Sequence, residues 1–198
     1  MPMVTRLERR SFIGLGVFTL CGVAGCRPNR MPDSFTCHHC GKVHDGLPLA
    51  FSTDAPDHYY GIPESERVRR AVLSSDQCII DNEHYFARGC LDIRINDSAE
   101  IFTWGIWVSL SERNFQRMTE LWDKEGRESE PAYFGWLCTR LPGYPDTTNL
   151  KTHVHTRPIG QRPFVELEPT EHPLAVEQRT GITLARARQI AENLLHGS

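Results

Sequence analysis

Apolar and polar positions along the chain sort into short elements separated by turn residues. Glu64 to Leu73 reads as a short helix, with Glu64 and Glu66 in its first turn and Arg67, Arg69 and Arg70 after them, the order that the helix dipole favours. Gln77 to Ile95 reads as a hairpin turning at Asn82-Glu83, which sets Cys78 opposite Ala87. Glu100 to Ser111, EIFTWGIWVSLS, alternates as a central strand does and puts Trp104 and Trp107 on opposite faces. Glu112 to Lys124 follows as a helix with Ser111 as N-cap, and Phe115, Met118, Leu121 and Trp122 recur at helical spacing toward a core. Residues 125–131 form a charged turn, Tyr133 to Leu141 another strand, and Pro142 to Asp146 a proline-rich turn. Lys151 to Arg157 and Phe164 to Glu168 pair as a second hairpin around Gly160-Gln161. Leu184 to His196 is a helix with one apolar stripe, ending at Gly197. This irregular alternation predicts an α+β fold, a mostly antiparallel sheet with flanking helices.

The chemistry concentrates just before those elements, in Phe35 to Leu47, FTCHHCGKVHDGL. Two thiols spaced as Cys37-x-x-Cys40 can bite one tetrahedral zinc, and Gly41 lets the backbone turn tightly behind the second. A structural zinc takes four ligands. His44 is the nearest third, and the fourth is distant, with Cys78 and Cys90 as the candidates. In a regular hairpin these two fall on opposite faces, so one metal cannot take both, and Cys78 is preferred; a bulge at Gly89 would reverse that parity. The competing reading is a redox Cys37/Cys40 pair, a thiol oxidoreductase in which His38 and His39 lower a thiol pKa. Gly41 counts against it, because it discourages the helix such pairs usually start. Two unrelated buried cysteines are the plainest alternative.

Composition narrows the class. The chain has 198 residues, 39% hydrophobic and 24% charged, which suits one globular domain over residues 35–198 after a linker at 27–34. The formal charge of −3 includes Arg6, Arg9 and Arg10 against Glu8, so the rest is more acidic still and offers no basic surface for nucleic acid. Of seven cysteines, Cys21 and Cys26 precede the domain, and the five that remain cannot all pair as a disulfide framework.

Residues 1–26 have a basic start, an apolar stretch from Phe12 to Leu20 and small residues before Cys26, the layout of a secretory signal. Arg9-Arg10-Ser11-Phe12-Ile13 resembles a twin-arginine export motif, and Val23-Ala24-Gly25-Cys26 resembles a lipobox. Together they imply export in the folded state and lipidation on Cys26, giving a membrane-anchored lipoprotein of the cell envelope. Translation starting at Met31 would instead leave the domain in the cytoplasm.

His153 and His155 project from one face of a strand and could share a metal with His172 or Glu168 as third ligand, the basis of a metal-dependent hydrolase reading. A solvated sheet face explains them equally well. No G-x-S-x-G, H-E-x-x-H or Walker sequence is present.

Taken in order, FTCHHCGKVHDGLP, SDQCIID, WGIWVSLSERNF, YFGWL, LPGYPDTTNLKTHVHTRP and LEPTEHPLAVEQRTGIT resemble an uncharacterised bacterial family, domain of unknown function 2199. The resemblance runs from Phe35 to His196. It implies a single domain with Cys37, Cys40, His44 and Cys78 matching the family's motif, and it implies no activity. The leader departs from the pattern, since members begin near the knuckle. The expectation is a binding or interaction domain, for an unknown protein or small-molecule partner, stabilised by a structural zinc.

Overall fold

The computed structural model of this chain describes residues 34–196. The leader with its expected lipidation at Cys26, and the expected helix stop at Gly197, lie outside the described residues. In chain order the elements are strands β1 (Ser34–Thr36), β2 (Val43–Asp45) and β3 (Ala50–Ser52), then helices α1 (Asp57–Tyr60) and α2 (Glu64–Arg70). Strands β4 (Ala71–Leu73), β5 (Gln77–Ile80), β6 (His84–Arg94) and β7 (Ile101–Leu110) precede helix α3 (Glu112–Glu120). Strands β8 (Tyr133–Leu137), β9 (Lys151–His155) and β10 (Phe164–Leu167) lead to helices α4 (Pro173–Thr180) and α5 (Leu184–His196).

The long strands β6 and β7 pair antiparallel from Tyr85↔Leu110 to Arg94↔Ile101 and carry the rest. From them the chain runs β7-β8-β9-β10 as an antiparallel meander, and β10 returns beside β6 in parallel, Phe164 against Cys90. Five strands thus close into a barrel. Closure depends on Gly89: a Cβ there would sit 2.5 Å from Val165 Cγ2 and 3.0 Å from the Pro163 carbonyl. The Pro163 carbonyl also accepts the Cys90 N–H at 2.8 Å.

Period-two alternation decides what fills the barrel. Phe102, Trp104, Ile106 and Val108 of β7 point inward and meet Leu91 and Ile93 of β6, all buried. On the outer side Trp107 joins Cys78, Ile80, Phe86 and Cys138 in a second cluster, capped by Ile62 from the segment between α1 and α2. The two tryptophans therefore serve opposite faces, as the alternation predicts. Ser111 caps α3, its side chain accepting from the Asn114 N–H, and Phe115 and Met118 are buried beneath it. The second hairpin forms from the expected segments, but β9 stops at His155, so Phe164 lies opposite His155 and the connection is longer than a turn at Gly160-Gln161.

Three expectations are corrected. The fold is α+β, but the strands make a sheet-rich mixed fold with a closed barrel, and β3–β7 and β6–β10 are parallel, so the flanked, mostly antiparallel sheet does not describe it. Helix α2 stops at Arg70, because Ala71–Leu73 extends to pair with β5 as an edge strand. The first hairpin turns over three residues, with Asp81 (φ 53°) and Asn82 (φ 57°) left-handed, so Cys78 faces Phe86 instead of Ala87. The one-residue shift puts Cys78 and Cys90 on the same face of the sheet.

Candidate metal centre

Strands β1 and β2 stand apart from the large sheet as a two-stranded ribbon, Phe35 against His44. Their connection is the knuckle. The Cys37 N–H donates to the Lys42 carbonyl and the Gly41 N–H to the Cys37 carbonyl, both at 2.9 Å. Gly41 takes φ +69°, a left-handed conformation that costs glycine nothing. This turn brings Cys37 and Cys40 to one side, with His44 returning on β2 beneath them.

Helix α5 supplies the rest. Arg188, Glu192 and His196 recur at four-residue intervals, so they line one face of the helix, and each meets the ribbon. The Arg188 guanidinium lies 5.8 Å from the Phe35 ring centroid, and Phe35 stacks on His44 at 5.3 Å. Glu192, buried, accepts from the His38 backbone N–H at 3.1 Å and sits 3.2 Å from His38 Nδ1. Burial raises the Glu192 carboxyl, yet these His38 donors hold it below the usual carboxylate range. His196 stacks on His39 with ring centroids 5.1 Å apart and planes 2° from parallel.

Cys37, Cys40, His44 and His196 converge, their ligand atoms all within 4.8 Å of one another, and these four could hold a metal ion. Cys40 Sγ is 3.3 Å from His44 Nε2. A tetrahedral metal with the usual bond lengths sets sulfur and nitrogen ligands about 3.5 Å apart, so this pair already has ligand spacing. His196 Nε2 is buried with no hydrogen-bond partner among the described residues, which for a polar atom calls for some other partner. The His44 imidazole, then the Lys42 backbone, hold the Cys40 thiol below its ordinary value, toward the thiolate that binds metal.

Three of the four expected ligands, Cys37, Cys40 and His44, are brought together, and Cys78 is not. Cys78 lies on β5 in the outer apolar cluster, fully buried beside Phe86 and Trp107. Burial there pushes its thiol up to about 12, the opposite of what a ligand needs. Cys90 sits on β6 with its thiol also raised by burial, and it is not part of the group.

The second metal set does not assemble. His153 is 3.4 Å from Glu168 and His155 3.1 Å from Glu166, cross-strand pairs on the outside of the barrel. His172 is the N-cap of α4, its Nδ1 accepting the Leu174 N–H at 3.2 Å. The redox reading keeps its two thiols, since Cys37 and Cys40 are both free.

Sequence reasoning missed His196, because α5 reads by its apolar stripe and the polar stripe Arg188-Glu192-His196 is equally periodic but unremarkable. The signal was a count: a knuckle short of one ligand, and a histidine at the end of a helix with nothing else to do.

No curated protein and no solved structure matches the chain. Residues 36–182 match the family described as an uncharacterized protein conserved in bacteria (DUF2199), a span that includes Cys37, Cys40 and His44 and ends before His196. The chain belongs to that family.

Proposed function

We propose that this protein is a non-enzymatic binding or interaction domain whose ends are stapled together by a structural zinc on Cys37, Cys40, His44 and His196. The observation that carries the reading is the convergence of four ligand side chains from two distant parts of the chain, one of them with an orphaned buried nitrogen. Two thiolates and two imidazoles suit zinc in tetrahedral geometry. With four protein ligands the shell is filled, and a catalytic zinc would need a position left for water. The set therefore favours structure over hydrolysis. The twin-arginine and lipobox resemblance adds envelope tethering through Cys26, and a domain that must hold its metal before crossing a membrane suits export in the folded state.

A thiol oxidoreductase is the second reading, favoured by the lowered Cys40 thiol beside Cys37. One experiment separates the two. The full chain, purified without chelator, is expected to carry about one zinc and to show Cys37 and Cys40 as reduced ligands that react with a thiol reagent only after chelation. Protein isolated without metal and with a Cys37–Cys40 disulfide would transfer the assignment to redox chemistry.

A further inference from the structure

A second site lies against the outer apolar cluster, and none of its lining residues belongs to the metal centre. An open cleft of about 440 Å³ runs between α1, the β5–β6 turn, and the ends of β7 and β8, lined by His58, His84, Ser109, Trp136, Cys138 and Asn149. That volume falls within the range of small-molecule sites.

Its floor is apolar and rigid. Phe86 and Cys138 belong to the buried outer cluster, and Leu110 is a core residue. Its wall is an aromatic plate: Trp136 is 39% exposed although it stands on a barrel strand, and Phe134 braces it edge-on at 5.3 Å and 82°. A half-open indole held by a neighbour offers one flat face to a ligand. Polar groups converge around it without internal partners: among the described residues no hydrogen bond holds the side chains of His58, His84 or Asn149. His58 is fixed by its ring contact with Phe86 at 5.1 Å, and the Asn149 backbone by its N–H to the Leu137 carbonyl at 2.8 Å. Each therefore presents its donors and acceptors from a positioned ring or backbone.

We infer that this cleft binds a planar heteroaromatic small molecule, its ring stacked on Trp136 and its hydrogen-bonding edge read by Asn149, His58 and His84. The combination of one flat aromatic surface with donors and acceptors at its border selects for a ring that carries heteroatoms. A purely apolar ring would leave those groups unpaired, and a flexible chain would gain less from the plate because it loses more conformational freedom on binding. This inference rests on the binding-domain reading and supplies that domain with a ligand class.

The test uses the full chain in its metal-loaded form, with adenine, nicotinamide and cyclohexanecarboxamide as probes and the tryptophan indole N–H resonances as readout. The expected result is a saturable shift of the Trp136 signal with at least one of the two heteroaromatic probes and none with the saturated ring. Affinity, read in this variant from the backbone amide signals of His84 and Ser109 in the cleft lining, should fall about tenfold or more in Trp136→Ala, the worth of one stacked ring. Asn149→Gly, which keeps the left-handed backbone of this exposed position (φ 63°), should weaken binding without touching the plate, and it keeps the test decisive if Trp136→Ala folds poorly. Binding of neither heteroaromatic probe at millimolar concentration, or binding equally strong in both variants, overturns the inference. Zinc content of the same sample reports separately on the staple, so an unresponsive cleft in a metal-loaded protein removes this inference alone.

Discussion

Replacing Cys37 by alanine is expected to empty the metal centre and to release the two ends of the domain together, while the barrel stays folded. The ribbon β1–β2 has three residues per strand, far short of what a two-stranded sheet needs to persist in water. Apart from metal coordination, it is held to α5 by the Glu192–His38 contacts, the stacking of His39 on His196 and the packing of Arg188 on Phe35. A structural zinc contributes on the order of 10 kcal/mol of apparent binding energy in small domains, which dwarfs contacts of that kind. Cys37 is fully buried, so its loss also opens a hole at the centre of the site. Hydrogen exchange on the metal-loaded and Cys37→Ala chains is the measurement. Amides of residues 35–45 and of the last turn of α5 should lose protection, and those of β6 and β7 should keep it. Unchanged protection of the ribbon would mean that packing alone holds it.

Arg127→Ala is expected to destabilise the barrel by roughly 3–5 kcal/mol, because several backbone carbonyls lose their donor at about 1–3 kcal/mol for each one left unsatisfied. Arg127 is 4% exposed. Its guanidinium donates to four backbone carbonyls, those of Arg157 (2.6 Å), Trp122 (2.7 Å), Gln161 (2.8 Å) and Pro158 (3.2 Å), and it lies 5.2 Å from the Trp122 ring centroid. Three of those carbonyls belong to the loop joining β9 to β10, the connection that brings the last strand back to close against β6. Alanine would leave the half-buried Trp122 and Arg157 carbonyls and the Gln161 carbonyl without this donor, while the Pro158 carbonyl keeps the Gln161 N–H at 3.1 Å. For a domain of this size the melting temperature should drop by about 10 °C. Lysine should rescue little, because one ammonium cannot reproduce a planar fork aimed at several acceptors. A melt within a degree or two of the parent would show that solvent replaces the guanidinium.

Arg127 also marks where sequence reasoning stops. In EGRESEP it is one charge among several, and nothing local separates a solvated turn from a 3-10 turn with one arginine driven inward. The elements set by local periodicity were legible: α5 begins at Leu184 as expected, and Ser111 caps α3. The second hairpin forms from the expected segments, with strands that stop at His155 and Leu167 and a longer connection between them. What depended on distant partners was not. Ala71–Leu73 continues a helical pattern until β5 arrives beside it, and barrel closure turns on the fit between Gly89 and Val165, residues far apart in sequence. A three-residue turn in place of a two-residue one shifted Cys78 by one position. The metal set shows the same division. The three ligands inside the knuckle and its return strand follow from spacing, whereas the fourth comes from the far end of the chain.

The central claim is that His196 completes the metal centre and Cys78 takes no part in it. Counting zinc per chain in the parent protein, in His196→Ala and in Cys78→Ala, each purified in the same way, tests it most directly. The account predicts about one zinc in the parent and in Cys78→Ala, and a weakened site that gives up its metal to a mild chelator in His196→Ala. Retention of tight zinc without His196, together with its loss when Cys78 is replaced, would contradict the account and return the fourth ligand to β5.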